Sequence, residues 1–175
     1  MVEELEFFVL EELKSFSELL QPDERSIYFS NNSLSSRHAA ISAIRLSDSV
    51  PVDIRSQFNT ALMLNVYAWL YYPLHQVSEL KAFSTVEMAL RQKFPNNKGT
   101  LRKLLLTAIN ADIIVDKGFS HIHASEDDPK KYSKELPGMI SDLRNDLAHG
   151  SSTLHPKSLF TLRNCAEIIN QLFIS

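Results

Sequence analysis

The feature that most constrains the fold is a long helix-forming stretch that is interrupted once by proline. It runs from Val52 to Phe94, is rich in Leu, Ala, Tyr and Met, and has Pro73 near its middle. Proline lacks a backbone donor and clashes with the preceding helical turn, so the pattern predicts a break near Tyr72. Two antiparallel or bent helices should result, and the Phe94-Pro95-Asn96-Asn97 sequence should end the second. Its predicted buried face comprises Val77, Leu80, Phe83, Val86, Leu90 and Phe94.

The length and composition of the chain favour one all-α domain. With 175 residues at 44% hydrophobic, the chain can fill one core and is too short for two independent ones. Only four glycines and seven prolines occur, whereas Leu, Ala, Glu, Lys and Arg are plentiful, which favours long helices over a turn-rich sheet. We therefore predict a single helical domain over residues 1–175.

The charge and the cysteine count exclude several classes of protein. A formal net charge of −3 argues against a protein that coats nucleic acid without specificity, because such binding depends on many Lys and Arg contacts to phosphates. A small, local RNA site remains compatible with this charge, and no DNA partner is expected. The chain has one cysteine, Cys165, so it forms neither an internal disulfide nor a thiolate metal cage.

The sequence predicts a cytoplasmic protein with no membrane partner. Glu3, Glu4 and Glu6 occupy the N-terminus, where a secretory signal needs positive charge. The longest apolar stretch, residues 61–72, is interrupted by Asn65 and is far shorter than the roughly 20 residues that cross a bilayer.

The N-terminal third is predicted to contain one helix and a loop. Residues 3–20 carry apolar side chains at three- and four-residue spacing, which predicts an amphipathic helix that ends before Pro22. Residues 23–51 are rich in Ser and Asn and predict a loop with at most one short element, near residues 39–44.

The C-terminal half is predicted to contain three helices and one long loop. The first begins at Thr100 or Asn97 and ends near Asp112. The polar run from residue 116 to residue 134 predicts the most mobile loop of the chain. The second helix begins near Pro137 and ends before a left-handed Gly150, and the last opens at Pro156.

The only stretch that suggests chemistry is Arg144-Asn145-Asp146-Leu147-Ala148-His149-Gly150. Arginine is always charged and binds phosphate with a bidentate fork, while histidine exchanges protons near neutral pH. Together they can cleave a phosphodiester without a metal, so we expect no cofactor. Ile140, Leu143 and Leu147 form the predicted buried stripe of this helix, which puts Arg144 beside the core and leaves Asn145 and His149 as outward-facing neighbours.

This heptapeptide, near the start of the last helical hairpin, resembles the signature of the HEPN superfamily, an arginine and a histidine separated by four to six residues. Residues 67–73 and 84–91 also resemble the upstream helices of larger HEPN proteins, and the likeness covers roughly residues 58–173. It implies an antiparallel helical bundle on which residues 1–57 pack as an N-terminal extension. Toxin members often have a tyrosine two residues after the histidine, where this chain has Ser151.

The resemblance implies a homodimer with two arginines and two histidines in one composite cleft, and metal-independent cleavage of single-stranded RNA or tRNA. Arg144 would stabilise the phosphorane charge, His149 would act as general acid or base, and Asn145 would orient His149 or the phosphate. Such an enzyme would serve as a toxin or host-defence effector, with an antitoxin or regulatory protein as a partner. The resemblance equally admits a noncatalytic module that binds nucleotide, RNA or protein, and an unrelated helical adaptor is the third hypothesis.

Further charged residues have both a functional and an ordinary explanation. Glu87 either orients Arg144 or is a solvated glutamate, and Arg144 itself could pair at the surface with Glu87, Asp142 or Asp146. A basic cluster either guides RNA toward the cleft or forms a solvated face, and it comprises Arg91, Lys93, Lys98, Arg102 and Lys103.

Two further patterns suggest ligands that we do not expect. His121 and His123, together with Asp116 and Glu126, resemble a metal site in a loop. Two alternate histidines alone are weak evidence for such a site. The Lys98-Gly99-Thr100 sequence lacks the upstream glycine of a phosphate-binding loop. We therefore predict neither a metal site nor a nucleotide loop.

Overall fold

The computed structural model of the chain describes residues 10–30, 33–150 and 157–174. Within these residues all regular secondary structure is helical, which confirms the all-α class. Short 3₁₀ turns occur at Phe16–Glu18 and Asp116–Gly118. The α-helices of the described residues are α1 (Glu24–Ser30), α2 (Leu34–Ser42), α3 (Val52–Tyr67), α4 (Leu74–Lys93), α5 (Leu101–Asn110), α6 (Leu136–Ala148) and α7 (Ser158–Phe173).

Helices α3 and α4 form an antiparallel pair, as the proline in the middle of the stretch predicts. The Ser78 hydroxyl donates to the Ala61 carbonyl over 2.8 Å, and the Lys81 ammonium donates to Gln57 one turn further along. The chain therefore runs in opposite directions along α3 and α4. Helix α4 also packs on α5, α6 and α7, so it is the central helix of the described bundle.

One hydrophobic core joins α3 to α7. It is built from side chains that exclude water almost completely, and each large aliphatic one contributes about 2 kcal/mol relative to exposure. No helix of the described residues is both long and apolar enough to cross a membrane. The fully buried large side chains of the core include Ile54, Phe58, Leu90, Leu104, Leu105, Phe119, Leu162, Ile168 and Ile169.

The amphipathic helix predicted for residues 3–20 is wrong over its described part, residues 10–20. Only the short turn Phe16–Glu18 forms there, because the Ser15 and Glu18 side chains make a capping box that starts a new turn at Ser15. The Lys14 ammonium donates to the Leu70 carbonyl over 2.7 Å and holds this segment against the α3–α4 connection. Leu13 and Phe16 are consequently 97% and 92% exposed. Residues 1–9 lie outside the described residues.

The prediction of one short element within residues 23–51 is also wrong, since both α1 and α2 form there. Asp23 anchors the start of α1, because its carboxylate accepts the Tyr72 amide and bonds the Arg25 guanidinium. Ser33 caps α2 by accepting the Ser36 amide. Serines that suggested a loop in the sequence therefore mark the start of a helix, which is the position that serine favours.

The first turn of α4 buries polar side chains, which corrects the apolar face predicted for that helix. Val77 is 48% exposed and Leu80 is half-buried, whereas His75 and Ser78 are buried. Further along, Phe83, Val86 and Leu90 are buried as predicted.

The buried polar residues at the start of α4 belong to a network centred on Asn65. This side chain is fully buried, and its amide donates to the Ser78 hydroxyl over 3.2 Å and to the Ser158 hydroxyl over 3.0 Å. Its carbonyl oxygen accepts the Arg37 guanidinium over 2.8 Å. Ser158 also bonds the His75 imidazole over 2.7 Å. The network therefore joins α2, α3, α4 and α7.

The run predicted as the most mobile loop is anchored by a buried carboxylate. Asp116 accepts the Tyr132 amide, the Ser133 amide and the Ser133 hydroxyl over 2.6 to 2.9 Å. Burial alone would raise the pKa of Asp116, but these hydrogen bonds outweigh it and hold the pKa below its ordinary value. Phe119 is buried in the same run. Residues near both ends of this polar run are therefore buried.

The buried carboxyl of Glu79 is expected to make the stability of the protein depend on pH. It is 1% exposed and accepts the Thr161 hydroxyl over 2.7 Å, and burial raises the pKa of its carboxyl to about 7. Between pH 4.5 and 7 the folded protein keeps a proton that the unfolded chain loses, so this group lowers stability as the pH rises. A Glu79→Gln variant should be more stable than the natural chain by about 3 kcal/mol at pH 8 and equally stable at pH 4.

Urea unfolding of both proteins at pH 4, 6 and 8 measures this difference. The matched control is Glu126→Gln, because Glu126 is exposed. A stability difference between Glu79→Gln and the natural chain that stays constant from pH 4 to pH 8 would show that Glu79 ionises normally.

Candidate functional site

Helix α6 positions the motif as its apolar stripe predicts. Ile140 is buried, while Leu143 and Leu147 are half-buried against the core. Pro137 lies in the first turn and His149 is the C-terminal cap. Gly150 follows with φ of +86°, the left-handed conformation that ends a helix and favours glycine. Ser151 and Pro156, which entered the sequence predictions, lie outside the described residues.

Arg144 lies beside the core and contacts Glu87. Its Nη2 is 3.6 Å from Glu87 Oε2, and its Nη1 donates to Asn145 Oδ1 over 3.4 Å. Glu87 also accepts both Nε and Nη2 of Arg91, over 3.2 and 2.6 Å. One carboxylate of α4 therefore contacts a guanidinium from its own helix and one from α6. Among the described residues, Arg144 pairs with Glu87 and not with Asp142 or Asp146.

His149 is exposed at the end of α6. Its backbone amide donates to the Asn145 carbonyl over 2.9 Å, which completes the last helical turn. Within residues 10–30, 33–150 and 157–174, its ring has no hydrogen-bond partner, and the Asn145 side chain meets Arg144 instead. Within this part of the chain the imidazole faces solvent, so a second molecule or a ligand has access to it.

A cavity of about 470 Å³ brings together five of the eight residues that the sequence proposed for a site. It lies between α4, the start of α5, and α6, and its volume suits a small ligand. The five are Glu87, Arg91, Arg102, Arg144 and Asn145. Lys98, Ser141 and Asp142 also line it.

The remaining residues proposed for the site lie elsewhere. His149 does not line the cavity. Lys93 extends along the other side of α4, with its ammonium 5.9 Å from the centre of the Phe173 ring. Lys103 is exposed on α5 and does not line the cavity. The basic cluster of the sequence is thus divided by the fold.

Sequence reasoning missed the wall that the start of α5 supplies to the cavity. Thr100 caps α5 by accepting the Lys103 amide, as the sequence predicts, and the Asn97 side chain accepts the Gly99 amide over 2.9 Å. A Cβ at Gly99 would lie 2.9 Å from both Asn97 Oδ1 and Lys103 Cβ, so this close approach requires glycine. The cap at Thr100 was the available signal, since a helix start presents free amides.

Two other cavities contain none of the predicted site residues. A groove of about 730 Å³ between α2 and α3 is lined by Ile41, Leu62 and Met63, among others. A smaller space of about 320 Å³ lies between α6 and α7, where Leu143 and Phe160 make it mostly apolar. The groove is lined by Arg45 and Arg55 as well, and the Arg55 guanidinium pairs with Asp48.

His121, in the loop after α5, packs against aromatic side chains and a glutamate, whereas His123 is exposed. The His121 ring stacks edge-on with Tyr132 and Phe160 at ring distances of 5.2 and 4.8 Å. Its Nδ1 is 3.9 Å from Glu167. Asp116, another candidate ligand, uses its carboxylate on Tyr132 and Ser133. In the described part of the chain, no three His, Cys, Asp or Glu side chains are grouped to hold a metal ion.

Comparison with known proteins gives no family for this chain. No protein-family model, no curated protein and no solved structure matches it.

Proposed function

We propose that this protein is a metal-independent endoribonuclease of the HEPN type, a helical bundle that acts as a homodimer. The observation that supports it is the cavity in which Arg144 and Asn145 of the motif meet Arg91 and Arg102. The sequence predicts that Arg91 and Arg102 guide an RNA backbone, and both line the same cavity as Arg144, the arginine proposed to act in catalysis. Phosphate contacts of this kind position a nucleic acid.

The proposed reaction is an internal transfer at one phosphodiester. The ribose 2′-oxygen attacks the adjacent phosphorus while one His149 accepts the 2′-hydroxyl proton. The bond from phosphorus to the 5′-oxygen then breaks, and His149 of the partner subunit protonates the leaving oxygen. The products are a 2′,3′-cyclic phosphate and a 5′-hydroxyl. Arg144 neutralises the phosphorane, and Asn145 holds Arg144 or the phosphate.

The position of His149 in one copy supports the proposed homodimer. The imidazole is exposed at the end of α6, and general acid and base chemistry needs a site that excludes bulk water. Two α6 helices that face each other would supply both the cover and the second histidine. An antitoxin or regulatory protein is a fitting partner, because a free nuclease of this type would damage the cell.

The test is cleavage of tRNA and mixed cellular RNA in the presence of EDTA. The natural chain and a His123→Ala control should both produce fragments with cyclic-phosphate ends, because His123 is exposed and does not line the cavity. The His149→Ala variant should leave the RNA intact. Cleavage that survives in His149→Ala, or that stops in EDTA, would overturn the mechanism.

A noncatalytic HEPN module that binds nucleotide, RNA or a partner protein is the second candidate. It is favoured by one observation, that His149 lies outside the cavity that contains Arg144. Intact RNA with the natural chain, in a preparation shown to be folded and dimeric, would select it. A monomer with no affinity for RNA would instead favour the helical adaptor.

A further inference from the structure

The cavity between α4, α5 and α6 has an unusual balance of charge. Four cationic side chains line it, and they come from three helices and the connection between α4 and α5. Two carboxylates, Glu87 and Asp142, also line it, which leaves two net positive charges. Like charges that converge in a concave space repel one another unless an anion joins them. The four cations are Arg91, Lys98, Arg102 and Arg144.

The carboxylates do not neutralise the cations evenly. Glu87 contacts Arg91 and Arg144, so its charge fixes the direction of two guanidinium groups. Lys98 and Arg102 have no ion-pair partner among the described residues, and both are exposed. Positive charge that is not neutralised is therefore concentrated at the start of α5.

The α6 wall carries two enclosed polar atoms that lack hydrogen bonds. The hydroxyl of Ser141 and the Nε of Arg144 are both shielded from solvent, and neither has a partner in the described part of the chain. Enclosed donors without partners are costly, since each normally costs about 1 to 3 kcal/mol. Both residues line the cavity, and a side-chain rotation would turn either donor toward an acceptor-rich ligand there.

The start of α5 adds backbone donors to the same space. The first-turn amides of Leu101 and Arg102 have no helical carbonyl to bond, and the positive end of the helix dipole lies there. Lys98 and Gly99 precede them, as in a loop that binds phosphate, although the upstream glycine of that motif is missing. Here α4 and α6 supply the additional cations that the short loop does not.

We propose that this cavity binds a phosphate monoester, carried by a nucleotide or by the phosphorylated end of an RNA. A monoester has close to two negative charges at neutral pH and three acceptor oxygens, which matches the two net positive charges and the fork geometry of the arginines. A backbone phosphodiester has one charge and matches less well. The cavity includes Arg144 and Asn145 of the proposed nuclease site, so this inference rests on that proposed function and names the phosphate group that the site would take. Phosphate binding itself requires neither His149 nor cleavage.

The experiment is isothermal titration calorimetry with three probes. They are inorganic phosphate, a trinucleotide with a 5′-phosphate and the same trinucleotide with a 5′-hydroxyl. The natural chain should bind the phosphorylated trinucleotide at least about tenfold more tightly than the hydroxyl form. Tighter binding of the trinucleotide than of inorganic phosphate identifies an RNA end, and equal binding of the two identifies a free phosphate group. Either result supports the monoester site.

Variants locate the binding within the cavity. A Lys98→Ala, Arg102→Ala double variant should weaken phosphate binding by about tenfold or more, whereas Arg163→Ala should not, because Arg163 is an exposed arginine on α7. His149→Ala should bind phosphate normally even though RNA cleavage is lost. All four altered side chains are exposed, so the variants should fold, as circular dichroism can verify.

Three results would overturn the inference. The first is unchanged phosphate affinity in the double variant, and the second is no phosphate binding by the natural chain. The third is equal affinity for the phosphorylated and hydroxyl trinucleotides, which would indicate a diester contact. Cleavage by the natural chain in any of these cases would leave the nuclease proposal intact, while phosphate binding without cleavage would support this site alone.

Discussion

An Asn65→Leu variant is expected to lose about 3 to 5 kcal/mol of unfolding free energy. Leucine has a similar volume but cannot replace any of the hydrogen bonds that this fully buried amide makes. The Arg37 guanidinium would lose its side-chain acceptor at position 65 and keep the backbone carbonyl there and the His75 ring. The hydroxyls of Ser78 and Ser158 would lose their donor. Burial already lowers the pKa of Arg37, which indicates that this cation is expensive to enclose.

Urea unfolding of the two proteins at pH 7 measures the loss. Asn59→Leu is the matched control, because Asn59 is an exposed asparagine on the same helix, and it should change stability by less than about 0.5 kcal/mol. A loss of less than about 1 kcal/mol for Asn65→Leu would mean that the network adapts around leucine and does not hold the four helices together.

An Arg144→Lys variant is expected to lose about a hundredfold or more in the rate of RNA cleavage, with little loss of stability. The charge is kept, but the three donors of an ammonium diverge from one nitrogen and cannot reproduce the planar fork that contacts Glu87 and Asn145 and would hold a phosphate. The measurement is the single-turnover rate on a short single-stranded RNA in EDTA. Arg163→Lys, at an exposed arginine of α7, is the control and should cleave at the natural rate.

A rate within about threefold of the natural chain would show that Arg144 acts only as a point charge, and would remove the bidentate contact from the mechanism. Loss of folding in Arg144→Lys would instead assign a structural role to the pair with Glu87. A thermal melt of the variant separates these two results, because the proposed mechanism requires a folded protein with a slow reaction.

The helices that the sequence predicted well have strong local signals. Pro73 predicted the break between α3 and α4, and Thr100 predicted the start of α5. Gly150 predicted the end of α6, where its φ is positive. Each of these residues acts through its own backbone geometry or through a bond to a near neighbour. Such signals can be recognised without knowledge of what packs nearby.

The N-terminal predictions failed because the deciding contacts are distant in sequence. Lys14 bonds the carbonyl of Leu70, and Asp23 accepts the amide of Tyr72. Periodicity over residues 3–20 cannot reveal such partners. The polar first turn of α4 was missed for the same reason, since His75 and Ser78 are buried against a network that includes Ser158.

One part of the candidate site was predictable from the sequence and another part was not. The motif residues Arg144 and Asn145 were recognisable from one short segment, because their chemistry is local. The cavity they line needed residues from α4 and from the start of α5. The sequence grouped Lys93 and Lys103 with these cations because charge alone does not indicate which side of a helix a residue occupies.

The single cysteine makes the chain convenient for measuring distances between molecules in solution. Cys165 is fully buried, and burial raises the pKa of its thiol, so thiol reagents should leave the folded protein unlabelled. A His149→Cys variant would then carry its spin label or dye at the end of α6 alone. The separation of two such labels in a sample would report directly whether two copies bring these helix ends together.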